Sequence, residues 1–279
     1  MSSLAPTATP SRAPANPFAV ALARLWRARR LVERNVLVYR HQWIIIFSGV
    51  FEPIFYLIGI GLGIGGIVGD IPVQYTDGVE ISYLAFVAPA LLATAAMNGA
   101  VFETIFNVFF KLNYAKTYDG VLATPMGVRD VAVGETIFAL MRGSVYAVAF
   151  VTIMLVLGLI ESWWALLAVP AALLIGAAFA ALGLSAVTLM RSWADFAFIE
   201  LLTLPMFLFS ATFVPLDEYP QAVQWVLPLT PLYHGVDLMR QLTLGNVGWE
   251  ALIHVAYLLG VLALGVWFTA RRLEHKLLK

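Results

Sequence analysis

Residues 111–135 read KLNYAKTYDGVLATPMGVRDVAVGE. Between the first and last long apolar runs, this is the longest polar interruption that also carries positive charge. Apolar runs of membrane-crossing length flank it on both sides, so it reads as an elbow between two long helices. Asn113 can cap a short helix through its side-chain oxygen. Tyr114, Tyr118, Val121 and Leu122 then share a face, each with a neighbour three or four residues away. Gly120 weakens that helix, and Thr124 followed by Pro125 is a cap and first-position pair for the next. Two readings stay open on these residues. The elbow, about 113–123, is a knob for a socket on a partner protein, or an ordinary interfacial helix resting on headgroups.

Composition agrees with the flanking runs. The 279 residues are 61% hydrophobic and 12% charged, with a mean hydropathy of +0.85. Soluble domains are about half apolar and about a quarter charged. Too little polar surface remains for a water-facing globule, which predicts an all-α polytopic membrane protein with one membrane domain. The formal net charge is zero, so no bulk attraction to nucleic acid is implied. Cysteine is absent, which excludes a disulfide framework, a thiolate metal site and a thiol nucleophile. His41, His234, His254 and His275 are scattered without a ligand spacing.

Working towards the N-terminus, residues 1–16 are rich in Ala, Pro, Ser and Thr and are expected to be a disordered tail, not a secretory signal. Residues 17–40 have helical period. Phe18, Leu22, Leu25, Trp26, Val32, Val36 and Tyr39 share one face; Arg24, Arg27, Arg30, Arg34 and Asn35 share the other. Arg29 and Glu33 can pair at i,i+4. An amphipathic helix lying in the membrane interface fits this pattern better than a soluble basic helix for nucleic acid, because a span follows within a few residues.

Six spans are expected near 43–68, 81–110, 131–157, 163–190, 194–214 and 249–270. Lys and Arg set their orientation. Arg12, Arg24, Arg27, Arg29, Arg30, Arg34, Arg40, Lys111, Lys116, Arg129, Arg191, Arg271, Arg272, Lys276 and Lys279 fall on one side, against Arg240 alone on the other. The positive-inside rule predicts that both termini and the elbow are cytoplasmic.

Glu52, Glu103, Glu135, Arg142 and Glu200 lie within apolar spans. A bare charge at mid-bilayer costs about 2.5–3.5 kcal/mol on insertion scales, so these groups must face protein or water. Arg142 is the only cation of the set, and at least one of the acids is expected to pair with it. The five either lock helices together or line the inner mouth of a substrate path.

Residues 214–247, VPLDEYPQAVQWVLPLTPLYHGVDLMRQLTLGNV, are too apolar for a free loop. Proline cuts them into pieces too short to cross a bilayer. Two short helices, at 216–227 and 231–242, are expected to re-enter from outside and narrow the exit; a cap lying flat is the alternative.

Several tempting motifs fail. Gly61-Leu62-Gly63-Ile64-Gly65-Gly66 matches GxGxxG but sits at the end of a span, where four-residue glycine spacing means helix packing. GxxxxGK[ST] is absent, so no ATP is hydrolysed by this chain itself; HExxH and GxSxG are absent too. His234 and Asp237, at i,i+3, read as a polar pair and not as a metal site.

AKTYDGVLATPMGVRDVAVGE resembles the cytoplasmic signature of the NodJ-like permeases, named for exporters of nodulation lipo-oligosaccharides within the ABC-2 class of ABC transporters. PLTPLYHGVDLMRQL is similar to the segment that class carries before its last span, and Glu52-Pro53 and Phe102-Glu103 also fit. The likeness runs from about Phe18 to the C-terminus. It implies two permease copies in a bacterial plasma membrane, joined to two copies of a separate ATPase that binds ATP and Mg, with no cofactor in this chain. Tyr114, Lys116, Tyr118, Asp119 and Leu122 would seat as the coupling helix in the ATPase. Pro231, Tyr233, His234 and Asp237 would form an extracellular gate. Cargo would be amphipathic: a lipid-linked glycan, glycolipid or hydrophobic drug. Other classes remain at this stage: a non-transporting scaffold or regulatory subunit, a proton-coupled transporter using Glu103 or Glu52, and a membrane transferase at Asp217 and Glu218.

Overall fold

The computed structural model describes residues 17–40, 51, 54–72 and 80–277, and these are mostly helical. The expected tail, most of the first half of the first span, and Glu52 with Pro53 lie outside the described residues. Helix α1 spans Pro17–Tyr39 and α2 spans Ile54–Val68, with Gly59–Ile64 wound as a π-helix. Gly61 and its neighbours therefore lie within a helix, as the packing reading required. A Cβ on Gly61 would come within 2.8 Å of Leu84, whereas Gly59 and Gly63 face open space. A short hairpin follows, β1 (Asp70–Pro72) pairing antiparallel with β2 (Glu80–Ser82), Ile71 opposite Ile81.

Helix α3 runs Tyr83–Asn113, started by the Ser82 hydroxyl, which accepts the Ala85 N–H at 3.2 Å. A π-helical turn, Glu103–Asn107, interrupts it. Then come α4 (Thr117–Leu122), α5 (Val128–Val156), α6 (Trp163–Leu189), α7 (Phe196–Phe209), α8 (Gln221–Val226), α9 (Pro231–Leu244) and α10 (Glu250–Leu277). Among the described residues, four helical stretches are long and apolar enough to cross a membrane: Tyr83–Asn113, Asp130–Val156, Trp163–Leu189 and Glu250–Arg272.

The fifth expected span takes a different form. Helix α7 has 14 residues, roughly 21 Å at ~1.5 Å per residue, short of a ~30 Å hydrocarbon core. It stops at Ser210, and Ala211 turns left-handed at φ 55°. Ser210, Ala211 and Thr212 are nonetheless buried. Irregular backbone survives at such depth only when protein satisfies it. Arg240 on α9 does so, donating to the Thr212 carbonyl at 3.0 Å and the Phe86 carbonyl at 3.1 Å with its guanidinium over the Phe86 ring. The cation assigned by sequence to an outer loop is thus one of the most buried side chains of the protein.

The start of α5 also corrects an expectation. Thr124 and Pro125 do not open it. Thr124 instead donates its hydroxyl to the Val121 carbonyl at 2.6 Å, closing the end of α4. Helix α5 begins at Val128, after Gly127, whose N–H binds the Asp130 carboxylate at 2.9 Å. That carboxylate lies 2.9 Å from Arg27 on α1 and suits the positive end of the helix dipole. Nor does Asn113 cap the short helix; its amide donates back to the Phe109 carbonyl.

Of the two short helices expected at 216–227 and 231–242, the first is cut down by Pro220 to Gln221–Val226, between 3-10 turns at Leu216–Glu218 and Leu227–Leu229, and the second runs Pro231–Leu244, with Thr230 accepting the Tyr233 N–H, Pro231 in the first turn and Gly245 closing α9 at φ 94°. They are not equivalent. Trp225 and Leu229 are exposed, whereas Leu232, Val236 and Met239 on α9 are fully buried against α3, α6 and α10. Helix α9 is therefore a central element of the core.

Helices α6 and α10 pack closely along their length. A Cβ on Gly265 would meet the Ala181 backbone at 3.0 Å, and the Ser185 hydroxyl reaches the Gly265 carbonyl at 3.0 Å. Gly265→Ala should therefore destabilise the purified protein by about 1–3 kcal/mol through overpacking. Gly260→Ala, facing open space on the same helix, should be neutral or stabilising by up to about 1 kcal/mol. Thermal denaturation in detergent compares them.

Candidate functional site

The elbow is built around Glu135 of α5. Its carboxylate accepts from Lys111 of α3 at 2.9 Å to both oxygens, from Asn35 of α1 at 3.1 Å and from Tyr118 of α4 at 3.1 Å. Asn35 also accepts from Lys111 at 3.3 Å. All four side chains are buried. Four helices meet on one carboxylate, with every lone pair used and one full counter-charge, as a buried charge requires. Burial first, and then the Glu135 carboxylate, hold the Tyr118 phenol well above its usual range, so it stays a donor. Gly134 allows this junction. A Cβ there would sit 2.9 Å from Leu31 and 3.1 Å from the Ala28 carbonyl on α1.

This arrangement divides the five elbow residues. Tyr118 does not project; it is the anchor, 2% exposed. Tyr114, Lys116 and Asp119 are exposed and Leu122 is half-buried. Lys116 takes a left-handed conformation, φ 44°, that turns the chain into α4. Tyr114 stacks on Phe110 and lies 5.7 Å from Trp193, part of an aromatic cluster with Phe106, Phe109 and Phe196 that ties the elbow to the start of α7. Beside α4 an open basin of about 310 Å³ is walled by Arg30 and Arg34 of α1 and by Thr117, Gly120 and Val121. Its rim is cationic, which suits an acidic partner element.

The intramembrane charges separate into distinct sites. Arg142 of α5 pairs with Glu103 of α3 and donates to the Tyr146 hydroxyl at 3.2 Å. Asn107 donates to the other Glu103 oxygen at 2.6 Å. The π-turn that starts at Glu103 resets the side-chain directions of α3 at this point. Gly99, Gly143, Ala95, Ala96, Ala139 and Ala147 line a groove next to the pair. Glu135 belongs to the elbow instead, and Glu200 is exposed on α7, so the four described charges do not form one network; Glu52 lies outside the described residues.

The expected gate residues sit at the start of α9. His234 and Asp237 are both buried, joined through His254 of α10: the two Nδ1 atoms lie 2.8 Å apart, and His254 Nε2 is 2.7 Å from Asp237. Tyr233 packs edge-on against both rings, and Pro231 sets the first turn.

Sequence reasoning missed Asn35, Lys111, Arg240, Gln241 and His254 as site residues. Each is a polar residue on or near an apolar helix; Lys111 was counted with the cations of the cytoplasmic side and His254 with the scattered histidines. A polar residue in a long apolar helix, with a second one in the helix it faces, was the available signal.

Comparison with known proteins agrees with this architecture. Residues 28–244 match the family model described as ABC-2 type transporter, from α1 through α9. "Nodulation protein J" of Rhizobium leguminosarum bv. viciae is 34% identical over 228 residues, 81% of this chain and 85% of that protein. The protein of the same name from Rhizobium meliloti (strain 1021) is 32% identical over 240 residues, 85% of each chain. That of Rhizobium leguminosarum bv. trifolii is 30% identical over 249 residues, 88% of this chain and 92% of its own. With the matched stretch spanning the anchored elbow, the apolar helices and the broken helices before α10, this chain belongs to the ABC-2 type transporter family of membrane proteins.

Proposed function

We propose that this chain is the permease subunit of an ATP-driven exporter, moving an amphipathic cargo such as a lipid-linked glycan, glycolipid or hydrophobic drug outward across a bacterial plasma membrane. A separate ATPase, carrying the ATP and Mg sites, docks at the cytoplasmic elbow. Family membership supports the permease role, and the absence of GxxxxGK[ST] supports an engine on another chain. The observation that carries the reading is the Glu135 junction: α4 is bonded through Tyr118 to α1, α3 and α5 at once. A push on the exposed side of α4 cannot be absorbed locally and must displace the two longest described helical stretches near the elbow. That is the requirement for a device that biases a two-state element and does not merely bind. The cationic basin beside α4 offers the contact. The exposed apolar face of α7, with Phe198, Leu201, Leu202 and Leu204, supports a second copy of the permease.

Asp119→Ala should leave stability unchanged, since its side chain is exposed, and Tyr114→Ala should cost about 0.5–1.5 kcal/mol through its lost ring contacts, yet both should lower ATP-driven export by reconstituted complex about tenfold or more, a loss of about 1.4 kcal/mol of coupling. Export in proteoliposomes and nucleotide hydrolysis are measured together. Export driven by a proton gradient without nucleotide, or undiminished export by both variants, would sink the proposal.

A further inference from the structure

Glu103 and Lys111 on α3 each meet a charged partner on α5, and the two helices space these groups differently. Lys111 lies 2.9 Å from Glu135, and Glu103 pairs with Arg142. The pairing makes the helices antiparallel, with Glu135 and Arg142 seven residues apart on α5 and Glu103 and Lys111 eight apart on α3. A regular α-helix turns about 100° and rises about 1.5 Å per residue. Seven residues of α5 therefore come back to within about 20° of one direction after about 10.5 Å. Eight residues of a regular α3 would end about 80° away after about 12 Å, with Lys111 turned off Glu135.

The π-turn removes the mismatch. It occupies Glu103–Asn107, between the two contacts. A π-turn closes on i→i+5 and takes up one residue more than an α-turn. Eight residues then cover the angle of seven, and both charged side chains face α5. The cause is tertiary, since residues 103–107 contain neither glycine nor proline. Before the turn, Tyr83–Phe102 is fixed by burial, with Phe86, Leu92 and Met97 fully enclosed. After it, Val108–Asn113 is fixed through Lys111. Helix α6 leaves room for the wide coil at Gly183, where a Cβ would collide with the Thr104 hydroxyl. That hydroxyl donates to the Ala100 carbonyl at 2.7 Å, where the regular ladder is interrupted.

We infer that the π-turn of α3 is a winding switch held by the elbow. With Lys111 on Glu135 the turn stays wide; when that pair parts, α3 rewinds into a regular helix. The segment Val108–Asn113 then rotates by about 80° and advances by about 1.5 Å, while Glu103 stays on Arg142. The spacing of the two pairs carries this without reference to cargo. That a push on α4 works the switch during transport rests on the export reading above.

The chain has no cysteine, so Phe102→Cys and Phe110→Cys provide two unique spin-label sites. Both positions are exposed, and they span the turn. The labelled full chain is measured in lipid nanodiscs with no partner present. Adding Lys111→Met with Glu135→Leu should lengthen the label separation by about 3–5 Å as the second segment rotates. Deleting Phe106, the exposed residue of the turn, leaves seven residues from Glu103 to Lys111 and keeps both pairs in register on a regular helix. The deletion should melt within about 4 °C of Phe106→Ala, which loses the same ring and keeps the turn. In the deletion background the neutral elbow variant should no longer lengthen the separation. An unchanged separation in the neutral elbow variant, or a deletion melting more than about 4 °C below Phe106→Ala, would overturn the inference. If the neutral elbow variant does not fold, the deletion decides alone, because it leaves both pairs intact. Either result leaves the permease reading standing, which the export assay tests separately.

Discussion

Glu135→Ala is expected to destabilise the protein by about 3–5 kcal/mol, because it leaves Lys111 as a buried charge without a counter-charge, held only by the Asn35 side-chain oxygen at 3.3 Å. The same change removes the acceptor for Asn35 and Tyr118 and leaves α4 untethered. Chemical or thermal denaturation of the purified protein measures the first effect, and ATP-driven export by the reconstituted complex measures the second. The companion variant is Lys111→Met with Glu135→Leu. It removes both charges together, so most of the stability should return, since apolar replacement of a buried pair is often neutral. Export should stay low, because the bonds that carry α4 are still missing. Tyr118→Phe isolates one of them and should cost about 1.5–3 kcal/mol, the range for a hydrogen bond to a charged group. A stable, fully exporting Glu135→Ala protein would remove the basis for the coupling proposal.

The second large effect is expected at Arg142. Arg142→Met leaves Glu103 in an apolar groove with only Asn107, and a loss of about 3–5 kcal/mol should follow, visible as reduced membrane levels. Adding Glu103→Gln removes the stranded charge and should restore both level and export. The double-mutant cycle yields the coupling energy of the pair directly. Restored levels with export still lost would assign the pair to the cargo path and not to helix locking. The neighbouring small residues, Gly99 and Gly143 among them, allow either role, so the cycle is the discriminating measurement.

Much of the helix plan was legible because it depends on local chemistry. Apolar runs of about 20 residues and the break at Pro228, Thr230 and Pro231 mark boundaries that recur in α3, α6, α9 and α10, whereas the helix expected over 216–227 runs across Pro220 and is cut down to Gln221–Val226. The failures are equally local in cause. Thr124–Pro125 looks like a helix start by residue type, but the Val121 carbonyl competes for the Thr124 hydroxyl, and the Asp130 side chain three residues beyond Gly127 starts α5 instead. Helix α7 was read as a full span because residues 210–214 are apolar or small; only the left-handed turn at Ala211 and the donors of Arg240 reveal a buried break.

By itself the sequence determined the class of the molecule and its family resemblance: a helical membrane protein whose polar elbow lacks any phosphate-cradling loop. These follow from composition, run length and motif, each a property of neighbouring residues. Only the tertiary structure decided which charges meet. Asn35 and Glu135 are 100 positions apart, Lys111 and Glu135 24, Glu103 and Arg142 39, and His234 and His254 20. Apolar helices can pack in many registers with similar burial, and hydrophobicity carries no direction. The register is fixed where a buried polar group has one partner within reach, and that is a property of the packed bundle.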